Sequence, residues 1–248
     1  MKLFLADSTK YGIDLFCKAG IKNVLLSYYY FYTPSYFEHL KENYENVRIF
    51  LDSGAFSAFT LNNPIVPETY YQFVKDNPNL FDIVASLDDI KDPETTKQNF
   101  KELKKIREDV VPAFHYGEDL DYLKYYCKNA DYIALGGTAH IRDTRKISNW
   151  FSQCFEIIPK GKKVHAFGVF AESLILRYAK VLESADASTF SSKQAGMNNS
   201  MGISGFQKKT KGFKGQERIS RNQIEKLILY NCKRVLTTEE QTSEYGRI

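Results

Sequence analysis

The sequence predicts an α/β protein that forms a single (βα)8 barrel, or TIM barrel, with a basic insertion before its last helix. Short apolar runs alternate with amphipathic stretches, eight such runs can be counted, and no linker rich in Pro, Gly or Ser precedes about residue 191. Strands that alternate regularly with helices form a parallel sheet, and eight units favour closure into a barrel over an open doubly wound sheet. One domain over 1–248, with a basic loop at about 191–221, is expected.

The predicted strands are the short apolar runs, and the predicted helices are the amphipathic stretches between them. The strands cover Lys2–Ala6, Asn23–Tyr28, Val47–Leu51, Phe81–Leu87, Val110–His115, Tyr132–Leu135, Lys163–Phe167 and Leu182–Ala187. The helices cover Lys10–Ala19, Ser35–Tyr44, Pro67–Asp76, Pro93–Arg107, Leu120–Lys128, Arg145–Ile158, Ala171–Ala179 and Arg221–Val235. Pro67 and Pro93 suit a first helical turn, because the N–H group that proline lacks has no intrahelical acceptor there.

The composition is that of a folded protein with a sizeable core. Hydrophobic residues make up 43% of the chain and charged residues 26%, which excludes a disordered tail, collagen and a coiled coil. The four cysteines lie apart with no C-x-x-C pair, so neither a disulfide framework nor a cysteine zinc site is predicted. No run approaches the roughly 18 apolar residues of a membrane span, and a soluble cytoplasmic protein is expected.

The net charge of +4 is concentrated in one segment. Between Phe206 and Arg221, six basic residues against one acid give a local balance of +5 and leave −1 for the rest of the chain. The basic residues are Lys208, Lys209, Lys211, Lys214, Arg218 and Arg221. Such a run is usually a solvated face, but Phe and Gly residues interrupt this one, which is typical of a loop that follows a phosphate backbone and offers a ring to a base. We expect these six residues to contact nucleic acid.

The chemistry of a (βα)8 barrel lies at the carboxyl ends of its strands, where the loops converge on one mouth. The residues predicted at these ends include Asp52, Asp88, His115, Gly136, Gly137, His165 and Asp186. An Asp just after a strand is commonly the N-cap of the next helix, as expected for Asp89. For Asp52 and Asp88, spacing alone fits such a structural role and a functional role about equally well. His165, inside a strand, is expected to be a hydrogen-bonded core histidine. Asp186 is harder to explain structurally, because nothing near it needs a cap.

This set of side chains suits the recognition of a guanine-like base. Carboxylates accept hydrogen bonds from the N1–H and the exocyclic amine of guanine, backbone amides donate to its O6, and aromatic rings stack on its faces. A further carboxylate under the sugar could attack C1′, as carboxylate nucleophiles do in retaining glycosidases. Cleavage or exchange of an N-glycosidic bond is therefore the expected chemistry.

The same residues resemble the tRNA-guanine transglycosylases, and more closely their phage and bacterial relatives that insert 7-deazaguanines into DNA. The run Leu51-Asp52-Ser53-Gly54-Ala55-Phe56 is similar to the family signature D-S-G-G-[FY]-Q, and Ala134-Leu135-Gly136-Gly137 is similar to its G-G-L-A segment. Asp88 falls at the second base-binding aspartate, and Asp186 falls at the nucleophile of strand eight. The resemblance covers roughly Leu51 to Ser188, in the family's order.

The resemblance implies a role for each matching residue in a pentosyltransferase that exchanges bases. Asp186 would attack C1′ to form a covalent intermediate, and Asp52 would manage protons as the second catalytic residue. The implied base-binding residues are Asp88, Ser53, Phe56, His115, Gly136, Gly137 and Phe167. DNA and a free 7-deazaguanine base are the implied partners, with no cofactor and no metal, and a phage-encoded enzyme would act in the host cytoplasm.

The chain departs from the tRNA enzymes after its eighth strand. It has no cysteine there before Cys232, so the family's C-x-C-x-x-C…H zinc subdomain is missing; Ala55 replaces a glycine, and Ser57 stands in place of the glutamine. The missing zinc element and the basic loop favour DNA over tRNA as the substrate.

Three alternatives stay open. The first is a tRNA-guanine transglycosylase, and the second is a metal-dependent barrel hydrolase that uses His115, His140, His165 and the three aspartates. The third is a nucleic-acid-binding protein without catalytic activity.

Overall fold

A computed structural model describes residues 1–169, 171–188 and 221–245, and eight parallel strands curl into a barrel wall with helices between them. The strands are β1 (Lys2–Ala6), β2 (Asn23–Ser27), β3 (Arg48–Asp52), β4 (Ile83–Val84), β5 (Ala113–His115), β6 (Tyr132–Gly136), β7 (Lys163–Ala166) and β8 (Ser184–Ala187). The helices are α1 (Lys10–Lys18), α2 (Pro34–Asn43), α3 (Ala55–Thr60), α4 (Pro67–Asp76), α5 (Pro93–Lys104), α6 (Leu120–Asn129), α7 (Thr144–Ile157), α8 (Glu172–Tyr178) and α9 (Arg221–Tyr245). The predicted (βα)8 fold class is confirmed.

The strand order is β4-β3-β2-β1-β8-β7-β6-β5, so the first and last strands are neighbours in the middle of the sheet. In this pairing Phe4 of β1 lies opposite Asp186 of β8. The two edge strands meet through one bridge, Ala85 with Val111, where Ser86 N donates to Val111 O over 2.8 Å and Val111 N donates to Val84 O over 2.8 Å. This bridge closes the circle of strands.

Two strands are shorter than predicted on either side of that bridge. The prediction extended β5 from Val110, but the strand begins at Ala113. Pro112 interrupts it because proline has no N–H group to donate to a neighbouring strand. The neighbouring strand β4 is also shorter than predicted and covers only Ile83–Val84.

The inside of the barrel holds a small apolar cluster that sets the direction of the site residues. It consists of Phe4, Leu25, Phe50, Ala85, Val111 and Ala134, all nearly or fully buried. Side chains two positions apart on a strand point to the same face. Asp52, two residues after Phe50, and Gly136, two residues after Ala134, therefore lie above this cluster at the carboxyl mouth of the barrel.

The start of α5 corrects one expectation. Asp89 was expected to be the N-cap of this helix, but Asp92 is the N-cap, and its side chain accepts a hydrogen bond from Glu94 N. Asp92 directly precedes Pro93 and has the extended backbone that an N-cap requires, whereas Asp89 lies three residues earlier. Asp89 Oδ1 instead accepts from Lys91 N at 2.8 Å and Asp92 N at 3.0 Å, which closes the turn before the helix.

The last helix is longer than predicted and is attached to the start of the barrel. α9 continues ten residues past the expected end at Val235, and Ile228, Cys232 and Val235 are fully buried. Near its end, Glu239 Oε1 accepts from Leu3 N at 2.6 Å and from Asn23 Nδ2 at 2.9 Å. These bonds to β1 and β2 explain why the helix extends so far.

The predicted basic loop over about 191–221 lies almost entirely outside the described residues. Lys208, Lys209, Lys211, Lys214 and Arg218 belong to that part of the chain, and Arg221 is the first residue of α9. All four cysteines are buried free thiols. Of the helices in the described ranges, none combines the length and the apolar character that crossing a membrane requires.

Candidate active site

Asp52 ends β3 and is held by the turn that follows it. Its Oδ2 accepts a hydrogen bond from Gly54 N at 3.0 Å. Gly54 has φ +84°, and a Cβ atom there would lie 2.2 Å from Ser27 Oγ and 2.5 Å from Tyr29 Cβ. Only glycine fits this turn, because an L side chain is disfavoured at that φ and would also collide with β2 and its loop. The signature run thus fixes the position of Asp52.

The charge state of Asp52 is set by its surroundings at the mouth. Burial raises the pKa of Asp52, the charges of Asp88 and Asp186 raise it further, and it reaches about 8. Hydrogen bonds from Gly54 N and Ser53 N partly oppose this rise in the pKa. Asp52 consequently holds a proton at neutral pH, which it can donate to a bound molecule and later take back.

Asp186, in β8, is nearly buried at 7% exposure, and its two oxygens have different surroundings. Oδ1 accepts from Gly168 N at 2.7 Å and lies 3.3 Å from His165 Nε2. Within the described ranges, no hydrogen-bond donor contacts Oδ2. One oxygen of the carboxylate is therefore anchored, and the other is available to react.

His165 is a fully buried histidine in the barrel interior, as predicted. Its ring packs at 4.7 Å from Phe50 and edge-on at 4.6 Å from Phe167, measured between ring centroids. Besides its contact with Asp186, it lies 2.6 Å from Ser184 Oγ through Nδ1. Both ring nitrogens are thus engaged below the mouth.

Asp88 follows β4 and is the centre of a second polar cluster. Ser53 Oγ donates to Asp88 Oδ1 at 3.0 Å, and Ser53 itself is fully buried. Asp88 Oδ2 lies 3.0 Å from His115 Nε2, and His115 Nδ1 lies 2.8 Å from Glu118 Oε1. The cluster joins residues that follow β3, β4 and β5.

His115 is cationic in this arrangement. Burial lowers the pKa of His115, but hydrogen bonds and charges from Asp88 and Glu118 outweigh burial and raise the pKa to about 10. Both ring nitrogens therefore donate, one to each carboxylate. His115 and Ser53 use their polar atoms to orient Asp88, and direct contact of either side chain with a base stays a prediction.

Two glycines at the end of β6, Gly136 and Gly137, form a narrow wall between His115 and Phe167. A Cβ atom on Gly136 would lie 3.3 Å from His115 Cδ2 and 3.6 Å from Phe167 Cβ. Gly137 has φ +74°, and a Cβ atom there would lie 2.9 Å from Tyr116 N. Side chains here would fill the space between the ends of β5 and β7, so the glycines keep it open.

Two aromatic residues predicted to stack on a base lie at different depths. Phe167 follows β7 and packs on Phe50 with ring centroids 5.7 Å apart, so it belongs to the top of the barrel interior. Phe56 is the second residue of the short helix α3, and 57% of it is exposed on the rim of the mouth. The floor and the rim of the mouth therefore each present one aromatic ring.

The structure brings together most of the residues predicted for the site. Those linked by contacts or charge at the mouth are Asp52, Ser53, Asp88, His115, Gly136, Gly137, Phe167 and Asp186. Phe56 lies on the rim of the mouth. His140, by contrast, lies in an exposed turn after β6. In residues 1–169, 171–188 and 221–245, no group of three His, Cys, Asp or Glu side chains is placed to hold a metal ion.

Several polar residues of the mouth were not predicted. Glu118 pairs with His115 three residues earlier, a spacing that a turn after a strand brings together. Asp7 follows β1, and its Oδ1 accepts from Thr9 N and Thr9 Oγ1, both at 2.8 Å. Ser27 Oγ and Ser86 Oγ are buried without a hydrogen-bond partner among the described residues. The sequence gives no periodic signal for a single polar residue in a loop.

A comparison with protein-family models gives no match, and a comparison with curated proteins finds no relative of this chain. The geometry of the mouth and the resemblance of its motifs are therefore the grounds on which a function rests.

Proposed function

We propose that this protein is a pentosyltransferase that replaces guanine in DNA by a 7-deazaguanine base through a covalent bond to Asp186. The observation that carries the proposal is the asymmetry of the Asp186 carboxylate. Its Oδ1 is anchored by Gly168 N and His165, while Oδ2 has no donor among the described residues, and the charge of Asp186 acts on the protonated Asp52. An anchored anionic nucleophile next to a proton donor is what a two-step displacement at C1′ requires.

The first step transfers the sugar to the protein. Asp186 Oδ2 attacks C1′ and forms an ester bond, and guanine leaves with the electron pair of the N-glycosidic bond. The leaving base takes the proton of Asp52, whose pKa of about 8 keeps that proton available at neutral pH. The products of this step are a covalent nucleotide–protein ester, neutral guanine and an Asp52 carboxylate.

The second step runs the same chemistry in reverse with another base. The incoming 7-deazaguanine gives its ring N–H proton to Asp52 and attacks C1′, and Asp186 leaves as a carboxylate. Two displacements at one carbon retain the configuration of the sugar. Asp52 and Asp186 then return to their starting states, so no external acid or base is consumed.

The second polar cluster supports recognition of the base. Asp88 is oriented by Ser53 and His115, and each of its oxygens retains a further lone pair that can accept from a base N–H. Because Gly136 and Gly137 have no side chains, their backbone groups can approach a base carbonyl. Phe167 below and Phe56 on the rim offer ring faces for stacking.

Two features of the chain support DNA as the polymer. The six basic residues between Phe206 and Arg221 suit a phosphate backbone, and the zinc element of the tRNA enzymes is missing. A guanine inside a duplex must leave the base stack to reach the mouth of a barrel, at a cost of a few kcal/mol.

Incubation with radiolabelled guanine and separate samples of duplex DNA, single-stranded DNA and tRNA tests the proposal. Label is expected to enter DNA, and unlabelled 7-deazaguanine is expected to displace it. The Asp186→Asn variant provides the blank for each polymer. Incorporation into tRNA alone would assign the tRNA activity instead, and incorporation into no polymer would refute base exchange.

A further inference from the structure

A line of hydrogen bonds runs through the barrel interior beneath Asp186. His165 Nε2 lies 3.3 Å from Asp186 Oδ1, and His165 Nδ1 lies 2.6 Å from Ser184 Oγ. Ser184 Oγ is in turn bonded to the hydroxyl of Tyr132. Tyr132 lines a cavity of about 790 Å³ at the opposite, amino-terminal end of the barrel. The four side chains thus connect the mouth with the base of the barrel.

The hydrogen atoms of this line can be placed by counting donors. Asp186 Oδ1 is a carboxylate oxygen and only accepts, so His165 Nε2 must carry a proton to bond to it. With the ring neutral, Nδ1 is an acceptor, and Ser184 must donate its hydroxyl proton to it. Ser184 Oγ can then accept from the Tyr132 hydroxyl. That hydroxyl stays protonated because burial raises the pKa of Tyr132. Every bond in the line is satisfied, and all of them point toward Asp186.

We propose that His165 is a positioning residue for Asp186, locked in the neutral tautomer with a proton on Nε2 by Ser184 and Tyr132. This inference rests on the proposed function for its catalytic meaning, whereas the tautomer follows from the hydrogen bonds of a neutral ring. By holding Oδ1 from below, His165 fixes which oxygen of Asp186 attacks and in which direction it points. His165 makes no contact with the reacting atoms in this role.

The burial of His165 and Ser184 makes the lock effective. His165 and Ser184 are fully buried, and the rings of Phe4, Phe50 and Phe167 surround His165. In such surroundings an unpaired ring nitrogen is costly, so the ring cannot turn over without losing bonds on both sides. The hydrogen bond from Gly168 N gives Asp186 Oδ1 a second donor, so removal of the line weakens the anchor without abolishing it.

Long-range nitrogen–proton NMR of the histidine rings reads the tautomer directly and needs no substrate. The chain has four histidines, so the His165 signals can be assigned by their loss in His165→Gln. Should that variant not fold, the signals that shift in Ser184→Ala assign the ring instead. A protonated Nε2 with a bare Nδ1 is expected at neutral pH. A protonated Nδ1, alone or together with Nε2, would overturn the proposal.

The kinetic arm uses Ser184→Ala, which breaks the line but leaves His165 and Asp186 in place. The rate of covalent trapping, which is the formation of the ester between Asp186 and the nucleotide, is expected to fall roughly 5- to 10-fold. This is the effect expected for loss of one hydrogen bond. The KM for the free base should be unchanged, because the base-binding residues lie elsewhere in the mouth. Tyr132→Phe should act in the same direction with a smaller effect.

The matched control is Ser148→Ala. Ser148 is also buried and bonded to a tyrosine hydroxyl, that of Tyr178 at 2.9 Å, but both lie on helices outside the barrel interior. This variant should leave the trapping rate and the His165 signals unaltered. An equal fall in the trapping rate in Ser184→Ala and Ser148→Ala would show that the line of hydrogen bonds has only a structural role, and it would overturn the proposal. Failure of all base exchange in the wild type would refute the proposed function, whereas the tautomer would still be measurable.

Discussion

Each of the three aspartates at the mouth has a different set of neighbours, and these neighbours give each carboxyl group a different chemical property. Asp186 is anchored through one oxygen, Asp88 is paired with the cationic His115, and the donors that reach Asp52 from the described part of the chain are backbone N–H groups. Three negative charges in one partly buried mouth would repel each other strongly, and the group with the weakest compensation takes up a proton. For Asp52, burial and then the charges of Asp88 and Asp186 raise the pKa to about 8. The protonated Asp52 can then serve the site as a proton donor.

The proposed role of Asp186 as the nucleophile is tested by Asp186→Asn. This change keeps the size of the side chain and its bond from Gly168 N but removes the attacking charge, so covalent trapping and base exchange should both vanish. The folded state should persist, as followed by circular dichroism and thermal unfolding. Base exchange at close to the wild-type rate would show that another group attacks C1′.

The proton on Asp52 makes a prediction about stability and pH. The folded protein keeps this proton up to about pH 8, while the unfolded chain releases it near the ordinary value of 3.8, so the Asp52 contribution to stability falls as pH rises between these values. Asp52→Asn removes this loss and should raise the free energy of unfolding at neutral pH by roughly 1–3 kcal/mol, allowing for solvent at the mouth.

Urea unfolding of both proteins across that pH range measures the difference. The gain should shrink as the pH falls toward 3.8 and vanish below it, where both states of the wild type bind the proton, and base exchange should be lost at every pH. A stability difference that does not change with pH would mean that Asp52 is ionised in the folded protein.

The base pocket is tested by Asp88→Asn. An amide presents one donor group in place of an acceptor oxygen, so it leaves either a base N–H or His115 poorly paired, a mismatch of about 1–3 kcal/mol. Affinity for the free base, measured by calorimetry, should fall roughly tenfold or more. Asp89→Asn is the control, because its Oδ1 can still accept from Lys91 N and Asp92 N. Unchanged affinity in Asp88→Asn would assign Asp88 to a structural role.

At the scale of elements, the sequence predicts the barrel well because its strands and helices have strong periodicity. β1 and α4 are found with the predicted ends, and most other boundaries differ by one or two residues. Three of the failures share a cause: β4, β5 and α3 are short and depend on their neighbours in the fold rather than on their own pattern, whereas α9 extends past its predicted end through its bonds to β1 and β2. The site is predictable as far as it follows strand ends, as for Asp52 and Asp186. Pairings such as that of His115 with Glu118 depend on the three-dimensional course of a turn.

The turn between β3 and α3 provides the test at this scale. Gly54→Ala combines an unfavourable φ with a collision against Ser27 Oγ, and it should cost roughly 3 kcal/mol or more and displace Asp52. Gly117→Ala is the matched control: its φ is +92°, but nothing lies within 4 Å of the added Cβ. Only the cost of the left-handed conformation, about 1–2 kcal/mol, is expected there. Equal losses of stability in denaturant unfolding would show that the turn relaxes around the new side chain.

At the scale of the whole molecule, the uneven charge predicts how a polymer is held. If Lys208, Lys209, Lys211 and Lys214 contact phosphates, the logarithm of DNA affinity falls linearly with the logarithm of salt concentration. Changing all four to Gln should flatten that slope by up to about 3–4 units and leave binding of the free base untouched. Filter-binding titrations at several salt concentrations measure the slope. An unaltered slope would mean that these lysines are a solvated face and that DNA is held elsewhere.

The closure of the barrel between β4 and β5 has a mechanical consequence. The wall is joined there by the single bridge of Ala85 with Val111, and directly above it the pair of Asp88 and His115 crosses the same gap. The weakest strand pairing of the barrel therefore lies directly beneath the proposed base pocket. A ligand that contacts residues on both sides of this gap would hold β4 and β5 together, so its binding would make the whole ring of strands more rigid.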